Sequence, residues 1–504
     1  MALASLHSIC LHRKYGFLKE GMWKFCLTNP FSELPTQDVN KLMEMTHLHQ
    51  YKDPPNIGDV ILLLTSGRLT RLDLRSFYPE EEQYLIVKTK QSRAGSIFLP
   101  NFASRSKDLF IFHLVRNITS GNPYLEEFHS YIHPGFDVLR NCQNLRILKF
   151  YPSYGELSLN HFPVDLSALS SLRNLEVLHL PDMDTDTIAN VLEICPKLIS
   201  IGLTDSLDSV EEIHQRRLKN SSLNFDVGSH FQLRRCVWGK DSWFENRQER
   251  RVYKSGFCDK TRFAVTLCPL VQELIFYVHV KEALKELRVL KQLTLLRICF
   301  VRYKDGFVRE FVALLQEIGP QLKHLSILWN ENIHEYDEVP FNDICDWCPH
   351  LESLGIENFI FEPRISSEDT RNFPLKRLKL YGLNESDPES VLFLLSNFKH
   401  LEELFLEEVE CFDDALLRQI FERNPLTELK VISVKYCSLT RQGYQMIMEK
   451  APSIETVLIV VNREKYFYDT NRVFKDPNLH YLEDDYFYVK LKEFFFCRLD
   501  EKRF

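Results

Sequence analysis

An α/β fold made by repeating one short strand and one helix is what the 504-residue sequence predicts, on three observations. The first is a unit from Thr185 to Leu203, TDTIANVLEICP followed by KLISIGL. Ile188, Val191, Leu192 and Cys195 recur at helical spacing, and Pro196 stops the helix because proline has no N–H to continue it. Leu198, Ile201 and Leu203 then take LxxLxL spacing, the core positions of a short strand. The second observation is recurrence. Leu69, Leu145, Leu175, Leu198, Val271, Leu293, Leu322, Leu351, Leu375, Leu401, Leu429 and Ile454 each open such a strand, most of them about 22 to 30 residues from the next. The third is a second register in phase with the first. Cys142, Cys195, Cys268 and Cys348 stand three residues before an anchor, and Pro196, Pro269, Pro320, Pro349 and Pro452 stand two before one.

These patterns resemble leucine-rich repeats, and CSLTRQGYQMIMEKAPSIETVLI from Cys437 resembles their cysteine-containing class. The resemblance implies an α/β leucine-rich-repeat solenoid of about 12 to 14 repeats, with a curved parallel sheet inside and helices outside. Strand side chains alternate, so the x positions of LxxLxL are expected on the concave, target-binding face. Those singled out are Ile147, Val177, Ile275, Leu295 and Phe405, with Lys376, Arg377 and Lys379 in one repeat and Glu402 and Glu403 in the next.

Taken in order, residues 1–66 read as an N-terminal helical module. Leu3, Leu6, Ile9 and Cys10 share one face of a first helix; Val39, Leu42 and Met43 mark a second from Thr36; Ile57, Val60 and Leu64 mark a third. Residues 67–461 form the repeat array, with irregular stretches near 77–140 and 205–262. YLEEF (Tyr124 to Phe128) and QLRRCVW (Gln232 to Trp238) are expected as divergent repeats inside those stretches. Helix stripes recur, as in Phe307, Phe311, Leu314, Leu315 and Ile318, or Val391, Leu394, Leu395 and Phe398. The aromatic, charged tail 462–504 is expected as a C-terminal cap, since a bare solenoid end would aggregate.

Composition narrows the function. Hydrophobic residues make up 44% and glycines number only 17, which suits an ordered, well-buried chain. A net charge of −8 gives no general attraction to nucleic acid or anionic membrane. No apolar run approaches the ~20 residues of a membrane span. The N-terminus shows no basic region followed by an apolar core, so thirteen cysteines read as reduced thiols and the chain as cytoplasmic or nuclear. Phosphate loops, GxSxG and HExxH are absent from the sequence, so a non-enzymatic protein without cofactor or metal is expected. Cys345-Asp-Trp-Cys348 is half a zinc site without a second half.

The N-terminal module carries the functional signal. Ser5-Leu6-His7-Ser8-Ile9-Cys10 fits SLxxxC, and Leu34-Pro35 with Leu42 follows it. This resembles the elongin-binding and cullin-selecting boxes of VHL-box proteins, the leucine-rich-repeat substrate receptors of cullin–RING ubiquitin ligases. The resemblance implies that Leu6 and Cys10 bind the elongin B/C adaptor and that Leu34, Pro35, Val39 and Leu42 bind the cullin. Two positions depart from the pattern: Lys14 stands where the first box has an aliphatic residue, and Asp38 where the second has an apolar one. An F-box seated by Leu34, Pro35, Val39 and Leu42 on a Skp-type adaptor is the alternative, as is a plain cap on an interaction scaffold. Residues 231–262 hold nine Lys/Arg against four acids, with Trp238 and Trp243 among them; a contact with RNA or an acidic partner stands there against a solvated loop.

Overall fold

The computed structural model describes residues 6–23, 26, 28–49, 56–74, 113, 115–130, 133, 135–151, 166–180, 183–220, 230–240, 256–301, 306–329, 339–358, 361–362, 373–383 and 388–460. The expected tail cap (462–504), most of the irregular stretch near 77–140 (residues 77–112) and the stretch 241–255 with Trp243 lie outside them. The chain divides into two compact units: residues 1–237 with 266–271, and 238–265 with 272–504. Each unit is an α/β leucine-rich-repeat solenoid with an all-parallel main sheet.

In the first unit, three helices precede the sheet: α1 (Leu6–Glu20), α2 (Thr36–His49) and α3 (Ile57–Leu64). The strands follow as β1 (Arg71–Asp73), β2 (Glu127–Ser130), β3 (Ile147–Phe150), β4 (Val177–His179), β5 (Ser200–Asp205) and β6 (Arg235–Trp238), paired in chain order. In the second unit the order is β7 (Glu273–Val278), β8 (Leu295–Phe300), β9 (His324–Trp329), β11 (Ser353–Glu357), β13 (Arg377–Tyr381), β14 (Glu403–Glu407), β15 (Val431–Lys435) and β16 (Thr456–Val460). A separate two-stranded pair joins β10 (Val339–Pro340) to β12 (Phe361–Glu362).

All twelve anchors read from the sequence lie two residues before a strand of the main sheet. The same offset holds for Leu125 before β2 and Leu233 before β6, so both divergent repeats are true repeats. The constancy has a physical cause. The anchor is buried at the foot of the strand, as at Leu322, Leu401 and Leu429. The two N–H groups after it both bond to one carbonyl of the preceding repeat: Lys376 N and Arg377 N to Glu352 O at 2.9 and 3.1 Å, and Glu402 N and Glu403 N to Lys376 O at 2.8 and 3.0 Å.

Helices are begun by side chains and ended by backbone bonds, as where Cys195 N donates to Val191 O at 2.8 Å. Asp184 Oδ1 accepts from Thr187 N at 2.7 Å and Asp413 Oδ1 from Leu416 N at 2.8 Å, caps that each contribute about 1 kcal/mol. In helix Phe307–Ile318 the stripe Phe307, Phe311, Leu314, Leu315 and Ile318 is wholly buried, and Phe307 and Phe311 meet Phe300 of β8 edge-on. The four register cysteines are buried with them. At the other end of the strands the chain turns through left-handed backbone: Asn358, Gly382, Glu408 and Tyr436 directly follow β11, β13, β14 and β15 with φ of 58°, 66°, 55° and 52°.

Candidate functional site: the outer face of the first helix and the open sheet faces

The N-terminal module joins the first repeat without a linker. Asn40 of α2 donates to Thr70 Oγ1 at 2.7 Å and accepts from Thr70 N at 3.2 Å, and Arg68 Nε donates to Ser32 O at 2.7 Å. Asn56 caps α3 through Gly58 N, and Asp59 takes the Trp23 N–H at 2.8 Å. These bonds fix α2 and α3 as a lid on the repeat. Val39 and Leu42, expected to touch a cullin or a Skp-type adaptor, are both 0% exposed; they are core residues of that lid. Their place on the inner face of α2 is the correction the structure makes to that expectation. Leu34 is half-buried and Pro35 exposed, so these two remain on the surface.

Helix α1 is different. Leu11, Tyr15 and Leu18 recur at helical spacing and are buried, which orients the helix. On the opposite side Ile9 is 55% exposed and Cys10 is exposed. Leu6 opens the helix one turn before Cys10. Had Cys10 packed under Leu69 and Leu72, no adaptor could reach it; instead it faces outward. Met22 and Cys26, just beyond the helix, are exposed too.

On the sheets, alternation sorts the expected target-binding residues. In β13, Leu378 and Leu380 are buried while Arg377, Lys379 and Tyr381 alternate with them on the other face. In β14, Glu403, Phe405 and Glu407 do the same. Lys376 and Glu402 precede their strands by one residue and lie on a separate rim ladder, with Lys430 Nζ 2.7 Å from Glu402. Ile147 and Phe405 are half-buried, whereas Val177, Ile275 and Leu295, though on the open face, are buried by their neighbours.

Sequence reading found Arg377, Lys379 and Glu403 on this face of the second unit but missed the charges that pair with Lys379 and continue the row, Arg297, Glu357, Glu407 and Lys435. Glu357, 8% exposed at its side chain, accepts from Lys379 Nζ at 2.9 Å and lies 3.6 Å from Arg297. Arg377 Nε stands 3.4 Å from Glu403. Burial raises the Glu407 carboxyl above its ordinary range, against the pull of Lys435 and Lys379. Across β8, β11, β13, β14 and β15 the sign thus alternates, Arg297, Glu357, Lys379, Glu407, Lys435, with the uncharged Ser326 and Leu328 of β9 between the first two. Glu357, Glu407 and Lys435 are the last residues of their strands, one position past LxxLxL. Carrying the alternation one residue further would have found them.

The other candidates resolve into structure. Trp238 is fully buried, so it is no stacking platform for RNA, and Arg262 is held by Glu286 at 3.0 Å and Asp259 at 3.2 Å. Cys345 and Cys348 are buried, and burial pushes the Cys348 thiol up to about 12, the reverse of what a metal-ligating thiolate needs. Among the described residues no helix is long and apolar enough to cross a membrane.

No family model matches the chain, and no curated protein matches it. Solved structures do. The Rad7 and Elc1 complex in yeast matches at 13% identity over 95% of this chain and 98% of that one, TM-score 0.36. An internalin (inlF) from Listeria monocytogenes matches at 12% identity over 71% and 95%, TM-score 0.35. The leucine-rich repeat-containing protein LegL7 from Legionella pneumophila matches at 10% identity over 67% and 91%, TM-score 0.34. At such scores the neighbours carry no argument about function, and the repeat assignment stands on the chain's own strands and anchors.

Proposed function

We propose that the protein is the substrate-recognition subunit of a cullin–RING ubiquitin ligase, seated on elongin B/C through α1 and holding a protein target on its open sheet face. The observation that supports it is the outward placement of Ile9 and Cys10 on a helix whose other face is fully packed. A soluble helix gains nothing from showing water an apolar pair, and burying Ile9 in an adaptor groove contributes about 1–2 kcal/mol. Leu6 stands one turn before Cys10 in the sequence of α1. Leu34 and Pro35 are the surface left for a cullin, with Val39 and Leu42 acting beneath them by holding α2 in place. That burial disfavours the F-box alternative, which needs all four residues on a Skp-type adaptor. Phe405, Arg377, Lys379 and Glu403 are the target-facing residues. The chain supplies proximity, not side-chain chemistry: a held target is presented to a ubiquitin-loaded enzyme brought by the other subunits.

The test is to purify the tagged chain from cells and probe for elongin B/C and for Skp-type adaptors, beside a Leu6→Asp, Cys10→Asp variant checked for intact folding. Elongin B/C with wild type and none with the folded variant supports the reading. A Skp-type adaptor moves the protein to the F-box class. Neither adaptor leaves an interaction scaffold with α1 as part of its cap.

A further inference from the structure

Lys14 and Asp38, the two departures from the box pattern, are partners. Lys14 Nζ lies 3.3 Å from Asp38 Oδ2, and His7 Nε2 donates to Asp38 Oδ1 at 2.8 Å. Asp38 is 11% exposed at its side chain, and these two donors hold its carboxyl below the usual range, His7 first. Lys14 is therefore drawn inward onto α2, off the row an adaptor would meet. On a helix, residues three and four apart share a face. The outward row that begins with Ile9 and Cys10 continues instead through Arg13 to Phe17.

Arg13 is exposed, and its guanidinium sits 5.7 Å from the centroid of the Phe17 ring. Phe17 meets Trp23 edge-on at 6.0 Å, and Trp23 meets the buried Phe31 at 5.8 Å. This chain of rings anchors the aromatic platform under Arg13 in the module. The residues from Leu6 to Lys19 contain His7, His12, Arg13, Lys14 and Lys19 and no acid. Asp38 answers Lys14 and His7 from α2; no acidic residue stands on α1 within a turn of Arg13.

We infer that the partner seated on α1 presents a carboxylate at the rim of its apolar groove, one helical turn from the seat of Cys10, and that Arg13 pairs with it. The inference rests on the adaptor reading above and adds a specificity-determining residue to it. A rim charge of this kind acts largely through the association rate and its salt dependence.

The experiment measures binding of the purified chain to purified elongin B/C at low and high salt, for wild type, Arg13→Gln, Arg13→Glu, Arg13→Lys and Lys14→Gln. Arg13→Gln is expected to weaken binding about tenfold at low salt, Arg13→Glu more, and Arg13→Lys less, with the differences shrinking at high salt. Lys14→Gln should change binding less than Arg13→Gln. Arg13 is on the surface, so folding of these variants is checked by circular dichroism and is expected to be unchanged. If the Arg13 variants bind like wild type while Leu6→Asp, Cys10→Asp does not bind, the carboxylate inference falls and the adaptor reading stands. If wild type fails to bind elongin B/C, both fall.

Discussion

Replacing Asp38 asks how firmly the first helix is locked to the second. Asp38 is nearly buried, Lys14 is 31% exposed and His7 is 70% exposed, so the two bonds are unequal. His7 makes the shorter bond and lowers the carboxyl most, but at 70% exposure solvent screens it to a few tenths of a kcal/mol of stability, while the more sheltered Lys14 pair contributes about 1 kcal/mol. Asp38 also stands in the first turn of α2, where a negative charge gains a few tenths more from the helix dipole. Asp38→Leu should therefore cost about 1.5 kcal/mol. Lys14→Met costs less, because it frees a carboxylate that keeps His7. The double variant replaces an ion pair by an apolar pair and should lie within about 1 kcal/mol of wild type. The readout is amide hydrogen exchange in α1 and α2, which reports opening of this module without requiring the whole chain to unfold in one step. In acid the sign is fixed by the lowered carboxyl of Asp38. Its contribution is complete above the unfolded carboxylate range and is lost as pH falls through the folded value, so wild type and Asp38→Asn converge there. Strictly additive single costs in the double variant, or a difference that persists below that pH, would refute the coupling.

Further outcomes follow from the repeats. Glu357→Ala leaves Lys379 and Arg297 facing each other on a sheltered surface and should destabilise the second unit by about 2–3 kcal/mol, read as lost exchange protection in β11 and β13; a loss under about 0.5 kcal/mol would show that solvent already screens the cluster. Asn424, buried, donates to Leu395 O at 2.8 Å and Phe398 O at 3.0 Å and accepts from Leu426 N at 3.2 Å. Asn424→Ala strands two carbonyls and should cost about 2–3 kcal/mol in a urea titration followed at the second unit. Glu408→Gly relieves a side chain held at φ 55° and should be neutral or stabilising by up to about 1 kcal/mol, whereas Gly382→Ala, at φ 66°, should destabilise; the reverse order in melting temperature would contradict the turn geometry.

The positions of the strands were legible because a buried anchor recurs at the foot of each one, and the same two-residue offset recovered even Leu125 and Leu233. The faces of those strands were only half legible. Alternation assigns Arg377 and Phe405 correctly to the open side, but burial on that side depends on neighbouring strands, which is why Ile275 and Leu295 prove covered. The N-terminal module was least legible. Helical spacing alone treats Cys10 and Val39 alike, as apolar residues on amphipathic helices, yet one faces water and the other is core. What separates them is tertiary: Asn40 pins α2 to Thr70, and Asp38 pulls Lys14 across a separation of 24 residues.

The contrast between its covered and its open cysteines also makes the chain a selective reagent. Burial pushes the Cys142, Cys195, Cys299 and Cys437 thiols up to about 11 and that of Cys348 up to about 12, so at neutral pH they are almost wholly protonated, and all but the half-buried Cys437 are also shielded. Cys10 and Cys26 are exposed. Alkylation needs a reachable thiolate, so a maleimide at neutral pH should mark Cys10 and Cys26 in preference to those five. Mass spectrometry of the labelled chain then becomes a footprint of α1: a partner that covers this helix silences Cys10, and one that binds only the sheet leaves it reactive.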